Sequence, residues 1–246
     1  IRFQAFRGRY KIFEGTDVNI PELLEQSRQS VELGQSIALE VAPYFRQQYV
    51  LAKGVSFRRG TPRIFQFRLT DQPILEFDYH KNREVDGLVN LIFCEEIPDA
   101  TFDASGHPIL YGAFEDVDSI RKTLTEIKAI QKALTLTGQD PVAGRELREL
   151  KENQVEELNK LINEQLFIGQ YTYWYFQGEE EKVNSKRDLN RVLSRIIDTI
   201  YPDTPVYQNE LMNKTRVSSS IHTAKRQLIE ALINHWSTPG LGFPEE

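Results

Sequence analysis

The stretch Val206-Tyr-Gln-Asn-Glu-Leu-Met-Asn-Lys-Thr-Arg-Val-Ser-Ser-Ser-Ile-His-Thr-Ala-Lys-Arg-Gln-Leu-Ile-Glu-Ala-Leu-Ile233 holds the clearest local pattern in this chain. An apolar-periodic segment, Val206 to Met212, is followed by a four-residue turn, Asn213 to Arg216. A serine-started helix then places Ile221, Ala224, Leu228, Ala231 and Leu232 on one face. This is the outline of a helix-turn-helix. The outward face near the start of the second helix carries His222, Lys225 and Arg226, with Lys214 and Arg216 just ahead. Ser218, Ser219 and Ser220 add hydroxyls at the helix N-terminus, where free backbone N–H groups favour phosphate. The pattern predicts contact with duplex DNA through Lys214, Arg216, Ser218, Ser219, His222, Lys225 and Arg226. The rival expectation is a small helical bundle that packs within a larger protein or carries a partner surface.

Upstream, Ser185-Lys-Arg-Asp188 is a capping box, and its helix carries Leu189, Val192, Leu193, Ile196, Ile197 and Ile200. Tyr201-Pro ends it, because a residue before proline avoids the α region. In a winged-helix arrangement this would be the first helix. Tyr171-Thr-Tyr-Trp-Tyr-Phe176 is a β-type run, with Trp174 and Phe176 on one side and Tyr173 and Tyr175 on the other. It reads as the core of a small sheet, or as a stacking platform for bases. Further back, residues 116–137 and 142–166 place apolar side chains at helical spacing, broken at Gly138-Gln-Asp-Pro. They predict an antiparallel helical hairpin with a solvated outer face.

The N-terminal part alternates strand and helix signals. Residues 2–13, 63–70, 74–79 and 88–93 read as strands, and Asp86-Gly87 as a hairpin turn. Asn19-Ile-Pro-Glu opens a helix with breaks at Gly34 and Pro43. Positions 41–70 hold six basic residues, among them Arg58, Arg59, Arg63 and Arg68, and no acidic one. Six aromatics interleave with them. Local positive potential of this kind recruits phosphate even on an acidic chain, so Arg58, Arg59 and Arg63 join the expected contacts. The alternative is a strand pair with its aromatics inward and its arginines in water.

Composition narrows the class. The net charge is −6, yet residues 185–246 carry eight basic and seven acidic side chains while residues 111–184 carry nine and fourteen. No apolar run approaches the roughly 20 residues of a membrane span, so no membrane partner is expected. Cys94, the single cysteine, rules out an internal disulfide and fits a reducing, cytoplasmic compartment. It follows Leu91, Ile92 and Phe93 and reads as a buried structural thiol. The chain begins at Ile1 without a signal-peptide pattern and reads as an interior piece of a longer protein.

Catalytic signatures are missing. There is no phosphate-binding Gly-x-x-x-x-Gly-Lys-Ser/Thr loop, no Gly-x-Gly-x-x-Gly, no His-Glu-x-x-His and no nucleophile elbow. The four histidines lack partners at metal-ligand spacing. Glu76, Asp78 and His80 alternate and would share a strand face able to hold a hard cation. Tyr79, however, sits where a nuclease motif needs its second acid. A solvated face is the plainer reading, and no catalytic, metal or cofactor-binding residue is assigned.

Pro108-Ile-Leu-Tyr-Gly, the helical pair, Tyr173-Trp-Tyr-Phe-Gln-Gly-Glu-Glu, Leu193-Ser-Arg-Ile-Ile-Asp, Tyr201-Pro-Asp-Thr-Pro and Asn209-Glu-Leu-Met-Asn form a further pattern. Over residues 108–243 it resembles a mid-chain region of large prokaryotic P-loop ATP-binding proteins of BREX-type phage-defence, restriction-like systems. Such proteins carry their nucleotide site in a separate domain, so the resemblance implies no catalytic residue here. It implies an accessory region that handles DNA or couples to other subunits of a defence complex.

The expected fold class is α+β, with a mixed domain over residues 1–110, a helical hairpin over 111–168 and a winged-helix-like domain over 169–246. The expected function is a non-catalytic nucleic-acid-binding or coupling region of a larger bacterial ATPase. The alternative is a protein–protein interaction module that uses the hairpin, and an embedded nuclease comes last.

Overall fold

Leu88-Val-Asn-Leu-Ile and Ile109-Leu-Tyr-Gly-Ala-Phe are apolar without alternation, the mark of strands covered on both faces. In the computed structural model, β5 (Gly87–Ile92) and β6 (Ile109–Phe114) are buried at every position. The structure describes residues 18–94, 102–137, 140–168, 171–207 and 219–238, and the backbone of residues 2–6 and 9–13.

The other elements follow in chain order. They are β1 (Arg2–Phe6), β2 (Arg9–Phe13), α1 (Ile20–Gln29), α2 (Ile37–Val41), β3 (Tyr49–Leu51), α3 (Lys53–Arg59) and β4 (Ile64–Thr70). After β5 and β6 come α4 (Val117–Leu136), α5 (Pro141–Phe167), β7 (Thr172–Phe176), β8 (Glu179–Glu181), α6 (Lys186–Ile200) and α7 (Ser219–Asn234). Strands β3 to β8 form one six-stranded sheet in sequence order, with parallel β4-β5-β6 at its centre and antiparallel pairs at both edges. Strands β1 and β2 pair separately and antiparallel, so the run 2–13 is two strands. The protein is a mixed α and β structure, and its sheet draws on all three segments into which the sequence divides the chain.

One sheet face is covered by helices. Phe65, Val89, Leu91, Leu110 and Trp174 pack with Ile120, Leu124 and Ile127 of α4, Leu158 and Ile162 of α5, and Leu193, Ile196 and Ile197 of α6. The far end of α4 meets the start of α5 in a separate cluster of Ile130, Ala133, Ala143 and Leu147, joined by Ile20. The two helices therefore run in opposite senses. Asp116 caps α4 by accepting from Ser119 N–H at 3.0 Å, and Asp140 caps α5 from Val142 and Ala143 N–H at 2.9 and 3.0 Å.

The opposite face is covered by the connections themselves. Phe77 and Phe102 pack there with Leu88, Ile92, Ile109 and Tyr111. This corrects two expectations. Residues 74–79 do not form a strand, and Asp86-Gly87 does not close a hairpin, because β5 pairs parallel with β4. Ile74 and Phe77 of this stretch instead cover the sheet as part of a crossover, while Leu75 and Tyr79 are exposed. Asn90, fully buried on β5, pins that crossover. Its Oδ1 accepts from Ile74 N–H at 2.8 Å, and its Nδ2 donates to Thr70 Oγ1 at 2.7 Å. Gly87 is required by close approach, since a Cβ there would lie 2.4 Å from the Pro108 carbonyl oxygen. Cys94 is half-buried beside this layer, and burial pushes its thiol pKa up.

Candidate nucleic-acid interface

Helix α6 is built from a two-sided sequence. Leu189, Val192, Leu193, Ile196 and Ile197 are buried. Arg187, Arg191 and Arg195 recur every fourth residue on the exposed side, which sets them about 6 Å apart along the axis. Ser185 starts the helix by accepting from Asp188 N–H at 3.1 Å. The Asp188 carboxyl pKa is held down, first by its hydrogen bond from the Ser185 hydroxyl.

Helix α3 lies against α6 and is joined to it by side chains of α6. Lys53 N–H donates to Asn190 Oδ1 at 2.6 Å, and Val55 N–H donates to Ser194 Oγ at 3.2 Å. Gly54 lets the backbones close, because a Cβ there would sit 2.9 Å from Ser194 Oγ.

The space between these helices is an open groove of about 810 Å³. Its lining includes six cations, Lys53, Arg58, Lys186, Arg187, Arg191 and Arg195, and one carboxylate, Asp198. Arg58 pairs with Asp198, Arg191 with Asp188 at 2.9 Å, and Arg195 with Glu181. No described carboxylate forms an ion pair with Lys53, Lys186 or Arg187. Three carboxylates against six cations leave the groove positive on a chain whose net charge is −6. Such a surface attracts phosphate by Coulomb forces.

Of the arginines expected to contact phosphate, Arg58 is exposed and lines this groove. Arg59 and Arg63 are turned inward. Arg59 holds Asp198 at 3.1 Å and the Thr204 carbonyl at 2.6 Å. Arg63 holds Asp86 at 2.8 Å. Their side chains are 15% and 16% exposed, so their positive charge is spent within the fold. Arg68 is exposed on β4.

Lys214, Arg216 and Ser218 lie outside the described residues. Ser219, His222, Lys225 and Arg226 are exposed on α7, and Arg226 faces Glu230 at 3.8 Å. Ala231 alone among the described side chains of α7 is buried, while Leu228, Ile229, Leu232 and Ile233 are exposed. Helix α6 spends its apolar face on the sheet and on α3. Thr172 to Phe176 form β7, where Trp174 joins the helical core and Tyr175 stacks on Phe102 at 4.5 Å on the other side.

The acidic cluster does not converge. Asp78 Oδ1 accepts from the His80 and Lys81 N–H groups and so closes a turn. Asp71 binds Ser36 and the Ala38 N–H, and Asp86 binds Arg63. Among the described residues, no three His, Cys, Asp or Glu side chains form a group that could hold a metal ion.

The residues that sequence reasoning passed over are Lys53, Lys186, Arg187, Arg191 and Arg195. The four-residue repeat of the last three was readable, since it is the polar counterpart of the apolar pattern on the same helix. Comparison with known protein families, characterised proteins and solved structures finds no match for this chain.

Proposed function

We propose that this chain is a non-catalytic nucleic-acid-binding region, and that the groove between α3 and α6 is its phosphate-contacting surface. The observation that carries this reading is the charge of the groove lining, six cations to one carboxylate. Phosphate contacts position a nucleic acid without reading its sequence, which suits a region that holds or guides a strand for chemistry done elsewhere. The resemblance over residues 108–243 supports a place within a larger defence-type ATPase, as a coupling region. Lys225 and Arg226 of α7 are exposed as well, and in a winged-helix-like element they would contact duplex DNA.

Fluorescence anisotropy with labelled oligonucleotides tests the assignment. Arg187→Ala combined with Arg191→Ala should weaken binding and lower the magnitude of the salt slope by about 1.5. Lys225→Ala combined with Arg226→Ala measures the share of α7. Salt-sensitive binding that is unchanged in the first double variant would move the interface away from the groove.

A second reading, a protein-interaction module, draws on Leu228, Ile229, Ile233 and Trp236, which are exposed. The α4–α5 pair offers less for that role, because its apolar faces are used within the core and its outer face is charged. Light scattering across a concentration series distinguishes self-association through α7 from a monomer.

A further inference from the structure

The groove continues past Lys186 into a second open depression of about 680 Å³. Lys186 lines both. The second depression differs in chemistry. It is lined by Phe45, Arg46, Gln47 and Gln48 on the approach to β3, by Tyr49 at the start of β3, and by Asn159 and Asn163 of α5. Tyr49 is 50% exposed. Asn159 holds the approach in place, accepting from Arg46 N–H at 3.2 Å and donating to the Tyr44 carbonyl at 2.9 Å. A row of cations thus leads into a pocket of amides and one accessible aromatic ring.

We infer that this surface takes a single strand of nucleic acid, with phosphates along Arg195, Arg191, Arg187 and Lys186 and a base in the depression beside Tyr49. The inference rests on the phosphate-contacting reading of the groove and narrows it. The repeat of about 6 Å along α6 matches the phosphate step of an extended strand. A base within a duplex is stacked on both faces and paired along its Watson–Crick edge, so neither its face nor that edge can enter such a pocket. An unpaired base stacks on an aromatic ring and offers its edge to amide and guanidinium groups. The amides of Gln47 and Gln48 both donate and accept hydrogen bonds, so the pocket tolerates any of the bases.

The test compares the intact chain with Tyr49→Ala, Tyr49→Phe and the Arg187→Ala/Arg191→Ala variant. The probes are a labelled mixed-sequence single-stranded DNA, the same sequence as RNA, and the DNA duplex, each titrated over a salt series. The expected result is tighter binding of a single strand than of the duplex, with the DNA and RNA arms identifying the preferred sugar. Tyr49→Ala should weaken single-strand binding by about 5- to 150-fold, with the salt slope unchanged. Tyr49→Phe, which keeps the ring, should bind as the parent does. The arginine variant should lower the salt slope on every probe. Duplex binding equal to or tighter than single-strand binding overturns the inference while leaving the phosphate reading intact, provided the arginine variant still weakens it. Unchanged binding in Tyr49→Ala also overturns it. Absence of salt-sensitive binding to all three probes removes both readings together. Tyr49 is a surface residue of an edge strand, and circular dichroism of each variant shows that the fold is retained.

Discussion

Glu40 shows how a single charged residue can tie a short helix into the fold. It sits on α2, and its carboxylate accepts from Lys128 of α4 and from the Gly34 N–H at 2.9 Å. Burial alone would raise its pKa, but the hydrogen bond from Lys128, the Gly34 N–H and the Lys128 charge together hold it below the usual carboxylate value. The consequence for stability has a definite sign. A carboxyl whose folded pKa is depressed stabilises the fold above its unfolded pKa and loses that contribution as pH falls through the folded value. Glu40→Gln should therefore cost about 1–2 kcal/mol near neutral pH. That difference should shrink in the acid range below the ordinary carboxylate pKa. Urea unfolding of the parent and the variant at several pH values checks this, and a difference independent of pH would show that the ion pair does not carry it.

Among the elements, α4 and α5 decide how the sheet is closed. Each carries an apolar stripe, and both stripes are consumed between the sheet and the partner helix. Leu124 is 1% exposed and Leu158 is fully buried. A carboxylate at position 158 would enter that cluster without a cation to pair with. Leu158→Asp should cost roughly 3–5 kcal/mol, a large share of the roughly 5–15 kcal/mol that keeps a domain folded. A thermal melt reads this directly, and a midpoint equal to the parent's would show that the seam is open to water. Helix α6 makes a related point about charge. Its arginine stripe is exposed because the opposite side of the helix is committed to the core, so the same residues that anchor it also aim its cations outward.

The molecule as a whole is unevenly secured. The sheet, α4, α5 and α6 share one continuous core, whereas α7 buries only Ala231 among its described side chains. Ending the chain after residue 218 should shift the melting midpoint by less than about 3 °C, because little apolar area would be newly exposed. Two tryptophans make the test easy to follow. Trp174 is 1% exposed within the core and Trp236 is 74% exposed, so the fluorescence change on unfolding belongs to Trp174 and survives the truncation. A large fall in midpoint would mean that α7 contributes to the core. No described helix is long and apolar enough to cross a membrane.

Local information settled α4, α5 and α6, but not α3, whose residues lie in the basic stretch that reads from sequence as a phosphate contact or a strand pair. The Ser185 capping box announces α6 in the sequence, and in the structure Asp116 and Asp140 start α4 and α5 in the same way, a short polar side chain accepting from backbone N–H groups at the helix start. The 3.6-residue apolar repeat then fixes each buried face, and α4, α5 and α6 follow it closely. The run from Tyr171 to Phe176 was readable as a strand for the same reason, by its alternation. Pairing was another matter. Whether β5 meets β4 in parallel or antiparallel depends on where residues 71–86 lie, and their apolar side chains serve a crossover as well as a strand. The basic groove was half legible. The spacing of Arg187, Arg191 and Arg195 is local, and it marks a charged helix face. That Lys53 and Arg58 stand across from that face, while Arg59 and Arg63 are neutralised by Asp198 and Asp86, involves partners up to about 140 positions away. Only the packing of α3 on α6 brings those charges together, because Coulomb interactions depend on distance through space rather than along the chain.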